Sequence, residues 1–130
     1  FGNLLIRLNA FPVKRGQPDR SAIRRALEIL GAGGVLGLFP EGSRSKTGEL
    51  LKPQPGVAMI ALKAKVPVLP VACVGTDKMG KKGSFFRSFE VRIGKPIEYI
   101  EYYEQRLSTK NLEIISQDIM EQIALLLLKE

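Results

Sequence analysis

The chain has 130 residues, of which 45% are hydrophobic and 25% charged, a composition that fits one globular domain and excludes a disordered chain. Cys73 is the only cysteine, which excludes an internal disulfide and favours a cytoplasmic setting. No apolar run approaches the roughly 20 residues that cross a bilayer; the nearest segment, residues 119–128, is interrupted by Glu121 and Gln122. The chain contains no histidine, so the most common base for activating a hydroxyl group at neutral pH is missing from it.

Positive charge is concentrated in the first two thirds of the chain. Residues 1–88 contain 15 Lys and Arg against 5 Asp and Glu, whereas residues 89–130 contain 5 against 8. Phosphorylated small molecules, anionic lipid headgroups and nucleic acid are all attracted by such a field. The basic segments lack the interleaved aromatic residues of single-strand binding sites, so nucleic acid is not an expected partner. A solvated surface that only improves solubility is the remaining alternative.

The first third of the chain predicts a short strand and a helix. Residues 8–14 contain Pro12, which restricts them to an extended or edge segment. Asp19 follows a proline and can cap a helix that stops at Gly31. One face of this helix is apolar, with Ile23, Ala26, Leu27 and Leu30.

A strand, a loop, a second helix and a second strand follow. The continuous apolar run Val35–Phe39 is typical of a short strand covered on both sides, and the same holds for Val66–Gly75. Between them, Pro55–Lys63 predicts a helix. Such a unit places the two strands in a parallel sheet.

The last third predicts a half-buried strand and a long helix. Residues 89–93 alternate apolar and polar, and apolar residues recur at helical spacing between Thr109 and Leu127. We therefore expect an α/β fold: a mixed, mostly parallel sheet flanked by helices, with a long amphipathic helix at the C-terminal end. Residues 1–130 are expected to form one domain, and the start at Phe1, without an initiator Met, indicates that polypeptide precedes it.

The segment Phe39-Pro40-Glu41-Gly42-Ser43-Arg44-Ser45 is the candidate binding loop, because ligands of open α/β sheets lie beyond the carboxyl ends of strands. Arg44 can bind two phosphate oxygens, Ser43 and Ser45 offer hydroxyl groups, and Gly42 lets backbone N–H groups approach an anion. Glu41 would repel an anion, so we expect it to accept a hydrogen bond from a substrate hydroxyl or to orient Arg44. The alternative is a surface turn with a local ion pair between Glu41 and Arg44.

Two further cations could bind the same anion. Lys52 follows the loop and precedes the predicted start of a helix, where the helix dipole favours negative charge. Arg15 follows a different predicted strand, residues 8–14. It would approach the same anion if that strand is a neighbour of the strand before the loop. Each could equally be a solvated charge. Cys73 is interpreted as a small buried hydrophobic residue, and no cluster has the spacing of a metal site.

The candidate loop closely resembles one motif of the 1-acylglycerol-3-phosphate acyltransferases, within the wider glycerolipid acyltransferase superfamily. The resemblance continues in the family's order. Phe11-Pro12-Val13-Lys14-Arg15 resembles the preceding motif, and Val66-Pro67-Val68-Leu69-Pro70-Val71 resembles the following proline-containing strand. Lys52 and Gly56 also stand where the family has a lysine and a glycine. The matching positions lie within residues 9–76.

The resemblance implies transfer of an acyl group from acyl-CoA or acyl carrier protein to the free hydroxyl of a lysophospholipid acid, giving phosphatidic acid. It implies an enzyme of phospholipid synthesis, without a metal or cofactor, on the cytoplasmic side of an anionic membrane surface. The family's catalytic histidine and aspartate lie upstream of the motifs present in this chain, which contains no such pair. We therefore expect an N-terminally truncated domain that is inactive alone.

The site residues implied by the resemblance belong to acceptor binding. Arg15 and Arg44 would bind the acceptor phosphate, and Lys52 would support them. Glu41 and Gly42 would shape the acceptor site, with Ser43 where threonine is common; Pro70 would be structural. The alternative function is a non-catalytic module that binds anionic lipid.

Overall fold

The computed structural model describes residues 2–11, 13, 19–75 and 89–128. The chain divides into two compact units, Phe1–Gly37 and Leu38–Glu130. Each unit is built from its own helices, and the sheet belongs to the second.

The first unit begins with helix α1, Gly2–Arg7, which the sequence patterns did not predict. The chain leaves this helix through a turn in which Asn9 adopts a positive φ of 61° and donates its N–H to the carbonyl of Ile6 at 3.0 Å. The predicted extended segment therefore cannot start at residue 8. Pro12 and Lys14, on which that prediction depended, lie outside the described residues.

Helix α2, Arg20–Gly31, confirms the predicted cap and stop. The carboxylate of Asp19 accepts hydrogen bonds from the N–H groups of Ser21 and Ala22, both at 3.1 Å, which satisfies two of the unpaired donors at the helix start. At the other end Gly33 takes a positive φ of 78° and donates its N–H to the carbonyl of Leu30. The helix therefore ends at Gly31 as predicted, but the glycine that turns the chain is Gly33 rather than Gly31.

The predicted strand over Val35–Phe39 is absent. Residues 34–39 form no strand, and Val35 and Phe39 are 95% and 89% exposed. A strand requires a paired backbone along at least one edge, and none of the described residues supplies a ladder to this segment. An apolar run alone therefore did not determine a strand here.

The second unit contains helix α3, Gly56–Ala64, as the sequence predicts. Its C-terminal end is closed by Lys65, whose backbone adopts the left-handed conformation and donates to the carbonyl of Leu62. The helix buries its apolar face and keeps Lys63 exposed. Its buried residues are Ala58, Ile60, Ala61 and Leu62.

Two strands, β1 (Val71–Val74) and β2 (Glu90–Ile93), form an antiparallel pair in which Val71 lies opposite Ile93. The pairing continues beyond Pro70 as a single bridge between Val68 and Ile97. Both strands fall within predicted ones, but β1 is shorter, because Pro70 lacks an N–H and divides the run. No parallel pair occurs among the described residues, so the mostly parallel sheet is not confirmed.

Helix α4, Thr109–Leu128, is the predicted long amphipathic helix and packs against α3 and the sheet. The core cluster consists of Ala58, Leu62, Tyr99, Ile115 and Ile119. The hydroxyl of Tyr99 donates to the carboxylate of Asp118 at 2.8 Å. Burial is the main reason why the pKa of Tyr99 is raised. A polar group thus enters the core with a partner.

One face of the sheet is uncovered. Ala72 is buried on the inner face, whereas the neighbouring Cys73 is exposed. Val71, Val91 and Ile93 also remain exposed. The interpretation of Cys73 as a buried residue was therefore wrong, because only one of the two sheet faces has a described layer packed on it.

Candidate functional site

The candidate site is the loop of residues 40–54, which is closed at its base by main-chain hydrogen bonds. The N–H of Gln54 donates to the carbonyl of Pro40 at 2.7 Å, joining the two ends of the loop. Gly42 turns the chain with a positive φ of 70° and donates its N–H to the carbonyl of Phe39 at 3.1 Å. The positive φ favours glycine, and a Cβ at Gly42 would lie 3.0 Å from Cγ of Gln54, so a larger residue would also have to displace the Gln54 side chain.

Glu41 forms a second tie across the same loop. Its Oε2 accepts a hydrogen bond from the backbone N–H of Leu51 at 2.7 Å, ten positions along the chain. The carboxylate is half-buried, so this bond is partly shielded from water. The ion pair between Glu41 and Arg44, which the sequence left open as the alternative, does not form among the described residues.

Two hydroxyl groups fold the tip of the loop. The N–H of Gly48 donates to Oγ of Ser45 at 3.1 Å, and the N–H of Glu49 donates to Oγ1 of Thr47 at 3.4 Å. The hydroxyl of Ser45, expected to face a ligand, instead supports the turn. The spacing of serine, threonine and glycine could have indicated this role, because such hydroxyls accept from N–H groups two or three residues on.

The cations of the loop are exposed and unpaired. Arg44, Lys46 and Lys52 form no ion pair and no side-chain hydrogen bond within the described part of the chain. Ser43 is also exposed. A guanidinium and an ammonium group without protein partners are available to an anion, and the planar guanidinium suits two phosphate oxygens.

The site lies beside the start of a helix. Lys52 precedes α3 by a few residues, and Pro55, the N-cap residue of that helix, makes no side-chain cap hydrogen bond. The N–H groups of the first turn and the dipole of α3 favour negative charge there. The sequence prediction for Lys52 agrees with this position.

Five of the six predicted site residues share this one loop: Glu41, Gly42, Ser43, Arg44 and Lys52. The sixth, Arg15, lies outside the described residues, so its convergence with them stays a prediction. Pro70 is buried, and its carbonyl accepts from the N–H of Gly94 at 2.9 Å, as a structural residue would. Among the described residues no cluster could hold a metal ion, and none of the described helices is long and apolar enough to span a membrane.

The comparisons with known proteins identify the family. The family model described as "Acyltransferase" matches residues 1–74, which include the whole loop of residues 40–54, all of α3 and all of β1. The chain belongs to the acyltransferase family. The names of similar proteins confirm the resemblance of this acyltransferase chain to the 1-acylglycerol-3-phosphate acyltransferases.

Two bacterial relatives are both named 1-acyl-sn-glycerol-3-phosphate acyltransferase. The protein from Bacillus subtilis (strain 168) is 32% identical over 104 residues, which are 78% of this chain and 49% of that protein. The protein from Streptococcus pneumoniae (strain ATCC BAA-255 / R6) is 30% identical over 121 residues, 92% of this chain and 43% of that protein.

A solved structure has a similar fold. The crystal structure of the 1-acyl-sn-glycerophosphate (LPA) acyltransferase PlsC from Thermotoga maritima matches with a TM-score of 0.60 at 29% identity, over 84% of this chain and 45% of that one. This acyltransferase chain therefore spans about half the length of the proteins it matches.

Proposed function

We propose that this chain supplies the acceptor-phosphate site of a 1-acylglycerol-3-phosphate O-acyltransferase. The observation that carries the proposal is a closed loop that leaves Arg44 and Lys52 exposed, with no ion pair or side-chain hydrogen bond to any residue that the structure describes. A phosphate monoester with a neighbouring free hydroxyl would offer two charged oxygens to Arg44 and further charge to Lys52. The names of the relatives support this acceptor.

The proposed reaction moves an acyl group from a thioester to the acceptor hydroxyl. The hydroxyl oxygen attacks the thioester carbonyl carbon, a C–O ester bond forms, the C–S bond breaks, and the hydroxyl proton passes through a base to the leaving thiol. The resemblance places that base in a histidine upstream, which this chain does not contain. The chain's own residues bind and orient the phosphate, which fixes the position of the hydroxyl.

The acyl donor, the product and the sheet of the whole protein are proposed from the family resemblance. The donor is acyl-CoA or acyl carrier protein, the product is phosphatidic acid, and the thiolate of the donor leaves without metal or redox cofactor. The mostly parallel sheet is proposed for the protein as a whole. This chain alone is proposed to be inactive.

We also propose that the protein acts on the cytoplasmic side of an anionic membrane surface. The excess of Lys and Arg in residues 1–88 supports attraction to anionic lipid. In α1 and the turn after it, Leu4, Ile6 and Leu8 are exposed, which supports contact with an apolar phase. The same observations favour the second candidate function, a non-catalytic module that binds anionic lipid.

The test measures phosphatidic acid formed by the intact protein that carries this chain, from 1-acylglycerol-3-phosphate and an acyl thioester. Arg44→Ala should lower kcat/KM by about 10- to 100-fold, the effect of losing a hydrogen-bonded charge. Arg24→Ala is the matched control, because Arg24 is exposed on α2 and forms no ion pair among the described residues. Vesicle binding without any acyl transfer would favour the lipid-binding module instead.

A further inference from the structure

We propose that Glu41 is a positioning residue that acts through the backbone of Leu51 and does not touch the acceptor. Its Oε2 accepts the Leu51 N–H at 2.7 Å, a short bond of the kind that ionised acceptors form. This contact holds the start of the loop against the residue immediately before Lys52. The activity part of the argument rests on the proposed function above, but the structural part does not.

The loop has two ties, and Glu41 supplies the one nearer to the cations. The base is closed by the hydrogen bond from Gln54 to Pro40, which uses main-chain atoms alone. Between this base and the tip, the carboxylate of Glu41 is the side-chain group seen to bridge the two arms within the described part of the chain. Without it, the arm that carries Arg44 and the arm that carries Lys52 would be joined only at the base.

The charge of Glu41 fits this role better than substrate contact. A carboxylate beside a bound phosphate repels it and so weakens phosphate binding. The presence of Glu41 in a loop that is proposed to bind phosphate therefore needs another explanation. A carboxylate that accepts from a main-chain N–H helps to satisfy a donor and fixes the loop. Glu41 is half-buried, whereas Arg44 and Lys52 in the same loop are exposed. This difference is consistent with Glu41 stabilising the loop and the two cations facing solvent.

Two variants separate positioning from substrate contact. Glu41→Ala removes the acceptor, whereas Glu41→Gln keeps an acceptor oxygen of nearly the same shape and removes the charge. If Glu41 positions the loop, Glu41→Ala should speed hydrogen exchange of the Leu51 amide by about 10-fold, in keeping with the loss of one charge-assisted bond. Glu41→Gln should restore most of the protection.

The kinetic measurement is made on the intact protein with 1-acylglycerol-3-phosphate. Glu41→Ala should raise the KM for this acceptor more than it lowers kcat, because the two arms of the loop that carry Arg44 and Lys52 lose the hydrogen bond that joins them. Glu113→Gln is the matched control: it makes the same substitution at an exposed carboxylate on α4, outside the loop, whose side chain has no hydrogen bond within the described residues. It should leave both the Leu51 exchange rate and KM unchanged.

The proposal is overturned by unchanged Leu51 exchange in Glu41→Ala. It is also overturned if Glu41→Gln loses as much kcat/KM as Glu41→Ala while the Leu51 amide stays protected, since the charge would then act on the substrate. If the intact protein transfers no acyl group to this acceptor, the proposed function fails, and the exchange measurement still decides whether Glu41 positions the loop.

Discussion

The carboxylate of Glu41 and the backbone N–H of Leu51 meet at 2.7 Å and draw together two arms of one loop. Because Glu41 bonds to a backbone N–H, it lies in the same loop as the cations without forming an ion pair with Arg44. Arg44 and Lys52, one on each arm, keep their charges exposed. The structure thus accounts for a carboxylate within a loop that is proposed to bind phosphate.

Gly42→Ala should lower kcat/KM for acyl transfer and loosen the loop. Alanine would have to adopt a φ of 70°, which costs about 1–2 kcal/mol, and its Cβ would press on Cγ of Gln54 at 3.0 Å. Gly48→Ala is the control, because Gly48 also has a positive φ but a Cβ there meets open space. Equal losses of kcat/KM in the two variants would contradict a specific role for the contact with Gln54.

Rising salt should weaken acceptor binding. Arg44 and Lys52 are exposed, so an increase in ionic strength from about 0.05 to 0.5 M shortens the screening length and should raise the KM for 1-acylglycerol-3-phosphate. The slope should be smaller in Arg44→Ala, which has one cation fewer. A KM that does not respond to salt in the unsubstituted protein would argue against electrostatic capture of the phosphate.

Ile119→Ala should lower the free energy of unfolding by about 2–5 kcal/mol, the range for removing a buried aliphatic side chain. Ile119 is 2% exposed in the core cluster. Ile114→Ala on the same helix is the control, because Ile114 is 46% exposed, and it should change stability far less. Urea denaturation of both variants measures the difference; similar values would show that α4 does not bury the face described here.

Asp19→Ala should destabilise α2 by about 0.5–2 kcal/mol, since it removes the acceptor for two N–H groups at the helix start. Glu28→Ala on the same helix is the control, because Glu28 forms only an exposed pair with Arg25. Hydrogen exchange in the first turn of α2 is the measurement. Unchanged exchange of the Ser21 and Ala22 amides in Asp19→Ala would contradict the cap.

Alkaline pH should destabilise the protein through Tyr99. Burial and the hydrogen bond to Asp118 raise the pKa of Tyr99 above its unfolded value of about 10. The unfolded state then loses this proton first, so the stabilisation is complete below about pH 10 and falls as pH rises above that value. Denaturation midpoints between pH 8 and 11 test this, and Tyr99→Phe should show a weaker decline than the unsubstituted protein.

Local signals in the sequence predicted helices α2, α3 and α4, and they placed five of the candidate site residues in one stretch of the chain. The Asp19 cap and the Gly31 stop depend on hydrogen bonds between near neighbours, so α2 could be placed from sequence alone. The residues Glu41, Gly42, Ser43, Arg44 and Lys52 are close in the chain, and their loop held them together as expected. The six-residue α1 was not predicted, because so short a helix has little periodicity to detect.

Strands depend on partners that are distant in the chain, and here sequence reasoning was least successful. The run Val35–Phe39 has the composition of a buried strand but finds no backbone ladder among the described residues. Val71 and Cys73 lie in a strand as expected, yet their face of the sheet is exposed. Hydrophobic patterns indicate which residues gain from burial, but only a neighbouring element can cover them.

The sequence by itself determined the family motif, the two ends of α2 and the presence of Arg44 and Lys52 in the same stretch as the acidic Glu41. The tertiary structure decided what that acidic residue does: Glu41 bonds to Leu51 rather than to Arg44, which leaves the guanidinium unpaired. The physical reason is the reach of the interactions. Caps and turns act over a few residues, whereas the partner of Glu41 is set by how a loop of many residues folds back on itself.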